Sequence, residues 1–219
     1  MPEYLDIFDA NMRPESPFRV EKKEAHQKGL WHQTFHCWIV RRDPSGDKIL
    51  LQLRGADKDD NPDTLDISVA GHLQSGEQPP DGVREVEEEL GIRIDPAALL
   101  YAGVLKQATD RPGYYNREFC HTYFYETACL FPDYTPQASE VDGIFELDIS
   151  AGLKLFSGEI KTAEAEGVIR DGAVYKPAKR TVTTADMCSE IDRCRVTRYY
   201  LKVFVLADLY LKGHRLLAI

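Results

Sequence analysis

Short apolar runs separated by turn residues recur along the first two thirds of the chain, and their alternation predicts strands over Tyr4–Asp9, Phe35–Arg41, Lys48–Arg54, Leu100–Gln107 and Cys120–Leu130. The segment Asp43-Pro44-Ser45-Gly46-Asp47 joins two of them as a hairpin turn. Helical spacing takes over elsewhere. Arg19–Gly29 predicts a short helix stopped by its glycine, and Pro79 and Pro80 open a second helix that Gly91 closes. Val196–Lys212 predicts an amphipathic helix in which Tyr200, Val203, Phe204, Ala207 and Leu211 share one face and Gly213 ends the run. That aromatic stripe is expected to serve as core or as the contact of a homodimer. Phe156–Asp186 reads as an extension of the main domain, with a hairpin turned at Asp171-Gly172. There is no internal repeat. The pattern predicts an α/β class protein, a mixed sheet with helices on its faces.

The helix opened by Pro79 carries the densest chemistry. At 100 degrees per residue, Glu85, Glu88 and Glu89 fall within about a third of its circumference, while Val83, Val86 and Leu90 gather opposite. Carboxylates spaced three and four residues apart repel one another, and a hard divalent cation, Mg²⁺ or Mn²⁺, is the natural offset. Arg84 lies one turn before Glu88 and can hold its orientation. A bare run of glutamates is more often a solvated surface. Here GHLQSGE precedes the helix and Leu-Gly-Ile follows it, a compound pattern that composition alone rarely produces.

On Gly71, Glu77, Arg84, Glu85, Val86, Glu88, Glu89, Gly91 and Ile92 the chain resembles the Nudix hydrolases. Their box runs glycine, five residues, glutamate, seven residues, then Arg-Glu-aliphatic-x-Glu-Glu-x-Gly-aliphatic. One departure stands out: six residues, Gln78 to Val83, separate Glu77 from Arg84. Glu77 therefore ranks below the helix glutamates as a ligand. The resemblance implies an α/β/α sandwich and the hydrolysis of a diphosphate linkage in a nucleoside diphosphate derivative or a similar small organic diphosphate. It implies that Glu85, Glu88 and Glu89, with the carbonyl of Gly71, hold divalent metal, and that Arg84 orients the glutamates. The general base is expected to be Glu85 or Glu140, the latter placed at the start of a helix that follows the sheet.

A second resemblance, on Gly29–Phe35 (GLWHQTF), Ser68–Glu77 and Glu118–Phe124, is to isopentenyl-diphosphate isomerases. Those enzymes set a catalytic cysteine directly before a Gly-His pair, where this chain has Ala70 before Gly71-His72. Alanine can neither donate nor accept the proton that alkene isomerisation moves, so the isomerase reading fails on chemistry. His32 and His72 match metal-binding histidines of the isomerases. Of their Glu-x-Glu pair only Glu118 survives, after Asn116-Arg117. The expectation is that both histidines line the substrate cleft or sit satisfied in the core, and that His72, Arg117 and Glu118 contact substrate. A regulator that binds nucleotide without turnover is the remaining alternative.

At 219 residues the chain suits one domain, with its core over about 30–155. A formal charge of −9 argues against a nucleic-acid polymer as partner, while a small diphosphate stays compatible through bound cations. No run reaches the length of a membrane span, and the N-terminus lacks the features of a signal peptide. Five cysteines, none in a CxxC pair, suggest reduced thiols, and the expected location is cytoplasmic. The acidic loop Asp57–Asp66 reads as a solvated turn or a lid.

Overall fold

Apolar side chains occupy both faces of the strand His32–Arg41, as expected for a strand covered on both sides. The computed structural model describes residues 2–58, 61–111, 114–188 and 193–219. In chain order the elements are β1 (Tyr4–Phe8), β2 (Pro14–Glu21), α1 (Lys22–Lys28), β3 (His32–Arg41), β4 (Lys48–Arg54), β5 (Leu65–Asp66), β6 (Val69–His72), α2 (Arg84–Leu90), β7 (Leu100–Arg111), β8 (Tyr114–Glu126), β9 (Val141–Asp148), α3 (Ile149–Ser157), β10 (Ala163–Asp171), β11 (Val174–Val182) and α4 (Arg193–Leu211).

Among the described residues nine strands form one mixed sheet in the order β11-β10-β9-β4-β3-β8-β7, with β5 added to β4 and β6 to β3. β3 and β8 run parallel, with His32 opposite Glu118; the other pairings are antiparallel. The second edge of β3 is divided: Thr34 to Cys37 pair with β6, while Val40 and Arg41 pair with β4. Ser68 bridges the split. Its buried hydroxyl accepts from the Ile39 amide at 2.9 Å and donates to the Leu50 carbonyl at 2.5 Å.

Strand alternation sorts the core into two layers. Phe35, Cys37 and Ile39 of β3 pack with Val86 and Leu90 of α2 on one face of the sheet. Trp38 and Val40 pack with Tyr200, Val203, Phe204 and Ala207 of α4 on the other, together with Leu155 and Phe156 of α3. Each fully buried large apolar side chain of this kind contributes about 1.5–3 kcal/mol. This is the α/β/α sandwich expected from the resemblance, and the stripe of α4 is core. The hairpin β10–β11 extends the same sheet. Leu5, Ile7, Val20 and Ala25 form a small separate cluster that ties β1 and β2 to α1.

Three local expectations are corrected. The segment from Arg19 is strand to Glu21, and the helix begins only at Lys22, with Gly29 closing it. Pro79–Val83 is a 3-10 turn, so the α-helix proper starts at Arg84. Glu140 ends a turn and leads directly into β9 rather than a helix, because Val141 onward alternates apolar and polar at the period of a strand. Asp59 and Asp60 of the acidic loop lie outside the described residues.

Candidate active site

Two groups of side chains face one cleft of about 1640 Å³, the first acidic and centred on β6 and α2. Gly71 is required by contact: a Cβ at this position would overlap the carboxylate of Glu85. Arg84 organises the acids around it. Its Nε and Nη2 donate to the two oxygens of Glu77 at 2.7 and 3.1 Å, and its Nη1 donates to Glu85 at 2.7 Å and to Glu88 at 3.1 Å. Nη2 also donates to the His72 carbonyl at 3.0 Å. The planar guanidinium satisfies this fan of acceptors in a way a point charge cannot. Burial alone would lower the Arg84 pKa, but Glu77, Glu85 and Glu88 outweigh it and push the pKa up. The shortened loop thus ends with Glu77 on Arg84, where it also accepts from the Gln74 amide at 2.7 Å.

Val86 and Leu90 fix the rotation of α2, and that rotation turns Glu85 and Glu89 inward while Glu88 stays half exposed. Burial pushes the Glu85 carboxyl up to about 7, with Arg84 opposing and Glu88 adding to the rise. Glu89 is raised well above the usual carboxylate range, by burial first and then by Glu85 and Glu140. Among the described residues its Oε2 has no hydrogen-bond partner. A buried, unpartnered carboxylate oxygen beside two further carboxylates fits a divalent cation, which supplies the missing charge and bond. Glu140 lines the same cleft, paired with Lys58, whose loop is anchored by the Gly55 amide on the Glu140 carbonyl at 2.9 Å.

The second group is built on imidazoles. His32 on β3, His72 on β6 and His26 on α1 converge, with His26 Nε2 at 3.4 Å from His32 Nε2 and 3.3 Å from His72 Nε2. Glu118 Oε1 lies 3.8 Å from both His32 and His72. The Leu30 carbonyl, 2.9 Å from His32 Nδ1, makes that nitrogen a donor and turns Nε2 toward the cluster. Burial, followed by Lys22 and the other imidazoles, lowers the His72 pKa well below its ordinary value and keeps it neutral. Burial would raise the Glu118 pKa, but the His32 imidazole outweighs it and holds the carboxyl low. Imidazole nitrogens 3.3 and 3.4 Å apart form a donor set that would suit a nitrogen-preferring divalent metal.

Arg117, expected at the substrate, is not brought there. Neighbouring residues of a strand face opposite sides, Glu118 faces the cleft, and Arg117 therefore turns away and donates to the Gly29 carbonyl at 3.3 Å. The sequence reading also missed His26, which reaches the cleft from another element, and His36, which follows His32 and Thr34 at the period of two that marks one strand face. Among the described residues Cys37 and Cys129 are free thiols. No helix of the described residues is long and apolar enough to cross a membrane.

Comparison with known proteins gives a consistent picture. The model of the NUDIX domain matches residues 31–153. A Nudix hydrolase of Clostridium acetobutylicum, itself uncharacterised, is 40% identical over 81% of this chain and 86% of its own length. An isopentenyl-diphosphate Delta-isomerase of Cereibacter sphaeroides is 35% identical over 42% of this chain and 48% of its own. Among solved structures, a MutT/nudix family protein from Enterococcus faecalis matches with a TM-score of 0.52 at 12% identity, covering 84% of this chain and 64% of its own. A Deinococcus radiodurans protein matches at 0.51 and 19% identity, covering 71% and 90%.

Proposed function

The chain belongs to the Nudix hydrolase family, and from that premise we propose that it hydrolyses a diphosphate linkage in a nucleoside diphosphate derivative or a similar small organic diphosphate, with Mg²⁺ or Mn²⁺ as cofactor. The observation that carries the reading is the unpartnered, buried oxygen of Glu89 beside Glu85. Glu85, Glu88, Glu89 and the Gly71 carbonyl would hold the cation. Bound there, it supplies Lewis-acid polarisation of the phosphate oxygens and offsets the charge that grows on the leaving phosphate.

The chain's own groups do the rest. Arg84 keeps three glutamates and the His72 carbonyl in fixed relation, so that little reorganisation remains when substrate arrives. Water attacks one phosphorus, and a carboxylate, Glu85 or Glu140, takes its proton. The products are two monophosphate esters, or one ester and inorganic phosphate. His72 and Glu118 face the substrate space and, with His26 and His32, form a second donor set for a divalent ion.

The isomerase reading draws support from that imidazole set and from the similarity to isomerases. Ala70 gives it no proton carrier at the position where those enzymes have cysteine. The deciding assay presents nucleoside diphosphate derivatives and isoprenoid diphosphates with Mg²⁺ or Mn²⁺ and measures both phosphate release and double-bond migration. Release of phosphate or monophosphate supports hydrolysis. Migration above a metal-only control overturns it, and tight nucleotide binding with no product makes the chain a regulator.

A further inference from the structure

Beside the acidic centre the floor of the cleft is polar where the same strand is otherwise apolar. Along β3 the side chains of His32, Thr34, His36, Trp38 and Val40 share one face; the last two enter the core under α4, while Thr34 and His36 line the cleft. The register with β6 sets His36 opposite Ala70 and Phe35 opposite Gly71. His36 is therefore one residue along from the Phe35–Gly71 pair that Glu85 abuts, on the other face of β3, and the His36 and Glu85 side chains both line the one cleft. It is only 7% exposed, yet among the described residues its Nδ1 has no hydrogen-bond partner and its Nε2 meets the Thr34 hydroxyl at a long 3.4 Å, with Glu118 and Cys120 close by. Gln52, 5% exposed, faces the same cleft from β4.

An unpaired buried imidazole costs folding free energy, and an apolar residue at position 36 would continue the core of Trp38 and Val40 without that cost. Rotation of the ring about Cβ–Cγ presents either nitrogen to the cleft, one a donor and one an acceptor in the neutral ring. A hydroxyl or amide carried by the ligand would satisfy it. A hydrocarbon chain would cover it and leave it unpaired.

We propose that His36, with Thr34 and Gln52, is a specificity-determining residue that hydrogen-bonds the organic group attached to the diphosphate, so that this chain takes sugar- or nucleoside-like diphosphates and rejects prenyl diphosphates. The inference rests on the diphosphate hydrolase reading and narrows its substrate class. Ala70 removes the isomerase's proton carrier from one strand, and His36, directly across from it, makes the same floor unsuited to the isomerase's hydrocarbon.

The test compares kcat/KM for UDP-glucose and dimethylallyl diphosphate, with Mg²⁺, in the wild type and in His36→Leu and His36→Asn. The wild type prefers UDP-glucose by at least about a hundredfold, as expected of a site whose buried polar groups must be paired. His36→Leu lowers the UDP-glucose to dimethylallyl ratio at least about tenfold, chiefly through KM, and His36→Asn, which keeps a donor and an acceptor, restores most of it. Equal use of both compounds by the wild type, or an equal loss for both in His36→Leu, overturns the inference. If neither compound is hydrolysed, the hydrolase reading is judged on its own wider assay, and calorimetric titration with the same two ligands still decides the matter. Tighter UDP-glucose binding that His36→Leu abolishes supports it; equal binding of the two overturns it.

Discussion

Replacing Glu85 by glutamine stabilises the metal-free protein at alkaline pH while removing its activity. The carboxyl, 13% exposed, is pushed by burial from its ordinary value of 4.5 up to about 7. Two and a half pH units at about 1.4 kcal/mol each give a penalty on the order of 3 kcal/mol for its ionised form in the folded state. The sign follows from proton counting: between the two values the folded state binds more protons than the unfolded one, so stability falls as pH rises from 4.5 through 7. Above about 7 the full penalty is present, and below 4.5 it vanishes. Glutamine removes the charge but weakens one of the contacts of Arg84, which keeps Glu77, Glu88 and the His72 carbonyl. A net gain of about 1–2 kcal/mol at pH 8 remains, a rise in Tm of roughly 2–8 °C for a chain of this size. Calorimetric scans in chelator from pH 5 to 8 measure it. The wild type loses Tm across this range, Glu85→Gln loses less, and Mg²⁺ at pH 8 raises only the wild type. A variant no more stable at pH 8 than at pH 5, relative to wild type, refutes the reasoning.

Three further outcomes follow from the same contacts. Gly71→Ala sets a methyl into the space of the Glu85 carboxylate and is expected to lower kcat by more than about a hundredfold while circular dichroism stays native. Arg84→Lys leaves the fan of acceptors incomplete, so kcat falls to nearly the level of Arg84→Ala, measured as product release at saturating Mg²⁺. Ser68→Ala unpairs the Ile39 amide at the split of the sheet and costs about 1–3 kcal/mol in denaturant unfolding.

What the sequence disclosed, and what it withheld, divides along range. β4 was legible to the residue, since its apolar run is bounded by a turn and a charged end. The acids of α2 were legible because helical period and flanking glycines act within one segment. Strand parity places Arg117 away from the cleft once Glu118 faces in, a relation that the motif alone does not express. Glu140 was read as the start of a helix because acids favour that position, yet the alternation beyond it makes a strand. His26 left no local signal: it reaches His32 and His72 only because the small cluster of Leu5, Ile7, Val20 and Ala25 docks α1 beside β3. Glu77, ranked low on loop length, is held by Arg84 in spite of the missing residue, a contact that spacing alone could not reveal.

The most direct test of the central claim is product release from nucleoside diphosphate derivatives by the wild type and by Glu89→Gln, with Mg²⁺ titrated and Tm measured alongside. The account predicts Mg²⁺-dependent monophosphate release by the wild type and the loss of nearly all turnover in Glu89→Gln, with a Tm equal to or above the wild type's in chelator, because the amide replaces a buried, unpartnered carboxyl whose ionised form burial disfavours. Undiminished turnover in Glu89→Gln, or release by the wild type that needs no divalent ion, contradicts it.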